Sequence, residues 1–175
     1  LLVVCNKKDE AAYLLKSTSS PCYRSFHLSA AMCMQHRRDV LSELQSSLSS
    51  GSGEKVLCIS TQVIEAGVDI SFDSVIRLTA GMDNIVQAAG RCNRNCESDT
   101  PRPVYAVNCT DERLKNLRDI QRGKDASIAL MEVFRRTPER FDNDLFADAS
   151  IRYYYNTLYD DMAEGEQDYF IDRLD

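Results

Sequence analysis

The sequence holds 175 residues with a net charge of −6, and 43% of its residues are hydrophobic. That is enough chain for one α/β domain of about 110 residues plus an appendage, burying roughly 70% of its surface, and the acidity excludes a protein that binds nucleic acid through general basicity. No apolar run approaches the roughly 18 residues of a membrane span and no signal peptide is present, so a soluble, cytoplasmic protein with no membrane partner is expected.

The charge is uneven. Residues 1–110 carry 11 Lys and Arg against 11 Asp and Glu, while residues 111–175 carry 10 against 16. The front of the chain is therefore neutral, and its local groups decide what it binds. Seven cysteines, at 5, 22, 33, 58, 92, 96 and 109, include no Cys-x-x-Cys pair. Reduced thiols are the expectation. Cys92, Cys96 and His36 lack the spacing of a zinc site, so no metal ligand is assigned.

Leu1–Cys5 is an apolar run like an interior parallel strand, and it opens mid-strand without a methionine, so the chain is expected to be part of a larger protein. Asp9–Lys16 follows with Ala11, Ala12, Leu14 and Leu15 at helical spacing. Cys22–Leu28 reads as a second strand, with His27 as a half-buried strand histidine and Ser29 beyond its carboxyl end. Met34–Leu48 is a helix with Val40, Leu41, Leu44 and Leu48 on one face, and Gln35, Arg37 and Arg38 near its start. After a Gly51-Ser-Gly53 turn signal, Lys55–Ser60 and Ser74–Leu78 are strands, and Met82–Ala89 is a helix with Asp83 in its first turn. Val104–Cys109 is a further strand behind the Pro101-Arg-Pro103 break. This alternation specifies an α/β fold, a mostly parallel sheet with helices on both faces, over residues 1–110.

From Asp111 the pattern changes. Arg113–Ile120, Ala126–Phe134 and Asn143–Tyr159 have helical spacing, with breaks at Gly123 and Pro138, so residues 111–175 are expected to form a helical, acidic extension. Ile151, Tyr154, Tyr155 and Leu158 would be its apolar stripe, packing on the sheet domain. The acidic surroundings of Tyr153–Tyr155 favour packing over stacking on bases.

Two polar loops carry the chemistry. The first, Thr61-Gln-Val-Ile-Glu65-Ala-Gly67-Val-Asp69, leaves a strand at Ser60, at the sheet edge where open α/β folds bind ligands. Hydroxyls and N–H groups there suit a phosphate, Gly67 lets backbone approach a ligand, and Asp69 can accept from a ribose hydroxyl. The second, Gln87-Ala-Ala-Gly90-Arg91-Cys-Asn-Arg94, ends a helix at Gly90 and projects Arg91 and Arg94 from the turn. Both guanidinium groups can reach one polyanion, forking phosphate bidentately.

Thr61–Asp69 and Gln87–Arg94 resemble motifs V and VI of the second RecA-like domain of superfamily 2 helicases. The wording Glu65-Ala-Gly67-Val-Asp69 and Gly90-Arg91-Cys92-Asn93-Arg94 is most similar to the CRISPR-associated helicase-nuclease of type I interference systems. The resemblance implies that Arg91 and Arg94 reach the γ-phosphate of ATP with Gln87 orienting water or the arginines, that Gly67, Asp69 and Gly90 lie against the nucleotide, and that Ser60 and Thr61 grip a nucleic-acid phosphate. Ser29, Gln35 and Arg38, in the neighbourhood of motif IV, would touch the same backbone. The sequence contains no Gly-x-x-x-x-Gly-Lys-Ser/Thr loop, no Walker B acid and no His-Asp nuclease pair. ATP and Mg2+ would thus be held mainly by a first RecA-like domain, in a protein that also carries a nuclease domain. The expected partners are single-stranded DNA and an RNA-guided surveillance complex in a prokaryotic cytoplasm, and this part alone is expected to be inactive.

Other readings compete. Asn6-Lys7-Lys8-Asp9 after a strand, with Ser29-Ala30 after another, resembles the guanine-reading motifs of GTPases. It accounts for residues 1–31 and leaves both loops without a role. Asp9-Glu10-Ala11-Ala12 resembles a Walker B box but stands too far beyond the strand. A RecA-like scaffold kept as a non-enzymatic adaptor is the remaining alternative.

Overall fold

The computed structural model describes residues 1–18, 20–49, 53–65, 69–95, 98–114 and 117–160. Gly51, Ser52, Gly67, Cys96 and the end of the acidic extension, residues 161–175, lie outside them.

Strands buried on both faces need apolar side chains on both, and the three apolar runs Leu2–Val4 (β1), Val56–Ser60 (β3) and Val75–Leu78 (β4) become the middle of the sheet. Arg24–Leu28 (β2) and Val104–Val107 (β5) take the edges. All pairs are parallel, in the order β2-β3-β1-β4-β5. Val4 lies beside Ser60 on one flank and Arg77 on the other, and Leu28 beside Ser60, so the strands end along one line.

Three helices dress this sheet: α1 (Lys8–Ser17), α2 (Met34–Ser49) and α3 (Met82–Ala89). Leu44 of α2 and Ala88 of α3 pack with Leu2, Val4, Leu28 and Cys58 on one face. Ala11 of α1 packs with Val3, Leu57, Ile59 and Leu78 on the other. Here α1 leaves an open pocket of about 1000 Å³ lined by Tyr23, Ile76 and Val107 among others. The chain leaves β1 toward β2 and leaves β4 toward β5, so its direction across the sheet reverses between β1 and β4. Open α/β sheets bind ligands at the carboxyl side of such a reversal.

The chain divides into two units, Leu1–Thr79 with Asp83–Glu112, and Ala80–Met82 with the chain from Arg113 onward. The second is helical: α4 (Arg118–Arg136), a 3-10 turn at Pro138–Phe141 and α5 (Asp148–Asp160). Phe141 is its anchor, 1% exposed, with Phe134 stacked at 6.0 Å and Tyr153 edge-on at 5.8 Å. Gly123, read above as a break, lies inside α4. A Cβ there would stand 3.0 Å from the Cα of Gly81, so this glycine serves close backbone approach rather than helix termination. Of the expected α5 stripe Tyr154 is 3% exposed, whereas Ile151 and Tyr155 are 45% and 41% exposed. Among the described residues no helix is long and apolar enough to cross a membrane.

Candidate functional site

Buried apolar residues set each loop. Beyond β3, Thr61 donates its backbone N–H to the Leu28 carbonyl at 3.0 Å, and a 3-10 turn, Gln62–Ile64, follows with Ile64 fully buried. On α3, Ile85 and Ala88 face inward, leaving Gln87 exposed. The helix does not end on a left-handed Gly90. Gly90 and Arg91 still donate to Val86 and Ala88, and Asn93 adopts the left-handed conformation, φ 49°. A short polar side chain makes that conformation tolerable. The Asn93 amide donates to the Ser98 carbonyl at 2.8 Å and accepts from the Ser98 N–H at 3.0 Å.

The two loops are bonded to each other. Phe72 donates to the Arg91 carbonyl and Asn93 to the Phe72 carbonyl, both at 2.9 Å. The Arg94 N–H donates to Ser71 Oγ at 3.0 Å. The chain that follows the first loop therefore clamps the turn of the second from Arg91 to Arg94.

The arginines then part company. Arg94 is exposed, with Nε on Asp69 Oδ1 at 2.9 Å and Nη1 on the Gly90 carbonyl at 3.5 Å. Arg91, expected to project as well, is only 6% exposed and donates from Nη2 to the Glu65 carbonyl at 2.8 Å. Burial, and then the Arg94 charge, lower its pKa, though an arginine stays charged at neutral pH. Its short reach inward follows from the turn: Arg91 still lies on the helical path of α3, whose inner face also carries Ala88.

Beneath the loops lies a buried polar set with no counterpart in the sequence reading. Arg77 of β4 has no exposure, and its Nε lies 2.7 Å from Glu65 Oε1, off the line of the N–H. Nη1 donates to Asn6 Oδ1 and to the Leu78 carbonyl, each at 2.7 Å, and Nη2 has no partner among the described residues. Asn6 in turn donates to the Thr79 carbonyl at 3.0 Å and to Glu112 Oε1 at 2.9 Å. Asn84 of α3 reaches Glu65 Oε2 at 3.5 Å. Burial pushes the Glu65 carboxyl up and the Arg77 guanidinium down, and each opposes the other's shift by its charge. The available signal was the one cation inside the apolar run Ser74–Leu78. The set fills the ground between β1 and β4 with side chains, and it engages both the oxygen and the nitrogen of the Asn6 amide.

The remaining residues divide by exposure. Ser60 is fully buried and donates to the Thr61 carbonyl at 2.7 Å, and Ser29, 3% exposed, accepts from the Ala31 N–H at 3.3 Å. These hydroxyls shape loops from beneath. Gln35 and Arg38 are exposed on the first turns of α2, Gln35 donating to Asp39 at 2.9 Å. Thr61 Oγ1 is buried without a partner among the described residues. Among the described residues no group of three or more His, Cys, Asp and Glu could hold a metal ion.

The chain is 55% identical over 60 residues to the CRISPR-associated nuclease/helicase Cas3 of Haloferax volcanii, a stretch covering 34% of this chain and 6% of that protein. Its fold is similar to that of T. fusca Cas3-ATP, with a TM-score of 0.62 at 16% identity, covering 90% of this chain and 22% of that one. It is also similar to a chain in a CRISPR RNA-guided surveillance complex, pre-nicking, with a TM-score of 0.60 at 17% identity, covering 98% and 22%. The chain thus spans about a fifth of the length of these solved relatives, and at these identities the likeness shows the RecA-like fold alone. Residues 1–97, more than half of the 175 and including both loops, match the family described as CRISPR-associated nuclease/helicase Cas3, C-terminal, and the chain belongs to that family.

Proposed function

We propose that this chain is the second motor domain of an ATP-dependent superfamily 2 DNA helicase that acts in CRISPR type I interference. The observation that carries the reading is Arg94, exposed on a turn that the chain beyond the first loop clamps by three backbone-anchored hydrogen bonds and 2.9 Å from the exposed Asp69 carboxylate. A guanidinium so placed can stabilise charge developing on a γ-phosphoryl group supplied across a domain cleft. Asp69 accepts from the ribose, and Gln87, exposed one turn before Arg91, orients the attacking water or Arg94. Arg91 braces the first loop through the Glu65 carbonyl. The backbone of the Gly90 turn and Gly67 approach the nucleotide.

ATP and Mg2+ are held mainly by a first RecA-like domain, because the sequence has no Gly-x-x-x-x-Gly-Lys-Ser/Thr loop and no Walker B acid. Bound ATP draws the two domains together and product lets them part, so loops gripping DNA phosphates advance along a single strand. Gln35 and Arg38 supply donors to that backbone, with Ser29, Ser60 and Thr61, whose hydroxyls are buried, shaping the loops below them. Phosphate contacts position without reading sequence, which suits a motor loaded by an RNA-guided surveillance complex. This domain alone is inert.

In the full-length protein, Arg94→Ala lowers single-stranded-DNA-stimulated ATPase by about 10³- to 10⁵-fold while the unfolding midpoint stays near that of the parent. Steady-state ATPase assays beside thermal denaturation check this, and substantial activity in the variant rules the assignment out. An activity that prefers GTP would favour the guanine-reading alternative instead.

A further inference from the structure

An interior parallel strand normally carries Val, Ile or Leu at every position, and β4 places Arg77 there with no solvent exposure. Stability is a poor reason for it. A buried ion pair repays its desolvation only with near-ideal geometry and every proton satisfied, and apolar replacement of both partners is often neutral or stabilising. This pair meets neither condition, since the Nε contact with Glu65 lies off the N–H line and Nη2 has no partner among the described residues.

The pair's connections run instead to the segments that carry the proposed chemistry. Arg77 fixes the Glu65 carboxylate, Asn84 of α3 reaches its other oxygen at 3.5 Å, and the Glu65 carbonyl accepts from Arg91 at 2.8 Å. Glu65 stands four residues after Thr61 and four before Asp69, and Arg91 three before Arg94. On the other side Arg77 holds Asn6 at the end of β1, and Asn6 holds the Thr79 carbonyl at the end of β4.

We propose that Glu65, held by Arg77, is a positioning residue that sets the phosphate-gripping loop against the turn carrying Arg94, so that nucleic-acid contact and γ-phosphate contact are made in register. Glu65 touches neither ATP nor DNA; it acts through Arg91 and the loop it closes. The inference rests on the proposed motor function. An error of about 1 Å in such a constellation costs on the order of 10²-fold in rate.

The test compares Glu65→Gln, Glu65→Met, Arg77→Met and the double Glu65→Met/Arg77→Met in the full-length protein. The readouts are thermal midpoint, and kcat and KM for ATP with and without single-stranded DNA. The Gln variant keeps the shape and the backbone carbonyl but removes the charge. Positioning predicts that it folds, that DNA-stimulated kcat falls by about 10²-fold, and that KM for ATP moves by less than about threefold. It also predicts that the double variant regains the midpoint lost in the Met single variants without regaining kcat. A double variant that recovers both makes the pair purely structural and overturns the inference, as does a Gln variant with kcat within about twofold of the parent. If Arg94→Ala is also without effect, the motor reading itself has failed. If Arg94→Ala abolishes activity while the Glu65 variants keep it, only this inference has.

Discussion

Two arginine–carboxylate pairs lie in the same candidate site, and they are opposites. Arg77 and Glu65 approach to 2.7 Å with side chains 0% and 3% exposed; Arg94 and Asp69 approach to 2.9 Å with side chains 40% and 77% exposed. Water decides what each can do. Buried charges attract strongly because little dielectric screens them, and separating them strands an ion in the interior. Exposed charges can part at small cost, since water replaces each partner. One pair can hold a geometry and the other can exchange a partner, as the proposed contact of Arg94 with a γ-phosphate requires.

The largest effect should follow from breaking the buried pair. Arg77→Ala leaves the Glu65 carboxylate without its counter-charge and Asn6 Oδ1 without its donor, and the protein should lose about 3–5 kcal/mol. Chemical denaturation of parent and variant at neutral pH checks this. A loss below about 1 kcal/mol, the range of a surface pair, would mean that burial does not set this pair apart from Arg94 and Asp69.

That pair also shows where sequence reading stops. Element types came from periodicity: α3 was expected over Met82–Ala89 and is found there, because Ile85 and Ala88 recur at helical spacing and hydrophobic burial follows. The direction of a side chain at a helix end has no such period. Arg91 and Arg94 sit on one turn, yet the first completes the inner face of α3 and the second follows the left-handed Asn93, which turns the chain outward. Gly90 does stand directly after α3, but the left-handed residue of the turn is Asn93, held by Ser98. Arg77 stood in plain view inside an apolar run, but its partners lie 12 and 71 residues away along the chain. Only the parallel register, which aligns Val4 with Arg77, puts Asn6 in reach. Gly123 failed for the same reason, since its close neighbour Gly81 is remote in sequence.

A smaller effect is expected at the exposed pair. Asp69→Asn removes the carboxylate charge facing Arg94, and stability should change by about 0.2–1 kcal/mol. Raising salt to about 1 M, where screening acts within roughly 3 Å, should close most of the gap between this variant and the parent. The Arg77→Ala deficit should persist under the same salt. If both deficits vanish together, solvent reaches the buried pair and the two pairs do not differ in screening.

The smallest effect uses thiols as reporters of the same burial. Cys5 and Cys58 have no exposure, and each has its pKa pushed up to about 12, by burial first in both cases; at Cys5, Glu10 adds to the rise and Arg77 opposes it. Cys22 and Cys33 are exposed. Because the thiolate is the nucleophile, iodoacetamide at about pH 8 should label Cys22 and Cys33 in the native protein and spare Cys5 and Cys58, as peptide mass mapping would show. The linkage has a definite sign. Above about pH 8.5 the unfolded chain releases these two protons while the native state keeps them, so the unfolded state binds fewer and stability falls as pH rises toward about 12. Cys58→Ala should flatten that alkaline decline by up to one proton's slope. Rapid native labelling of Cys5, which lies directly beyond β1 and beside the Arg77 charge, would mean that the ground between β1 and β4 opens to solvent, and the buried pair could then hold nothing in place.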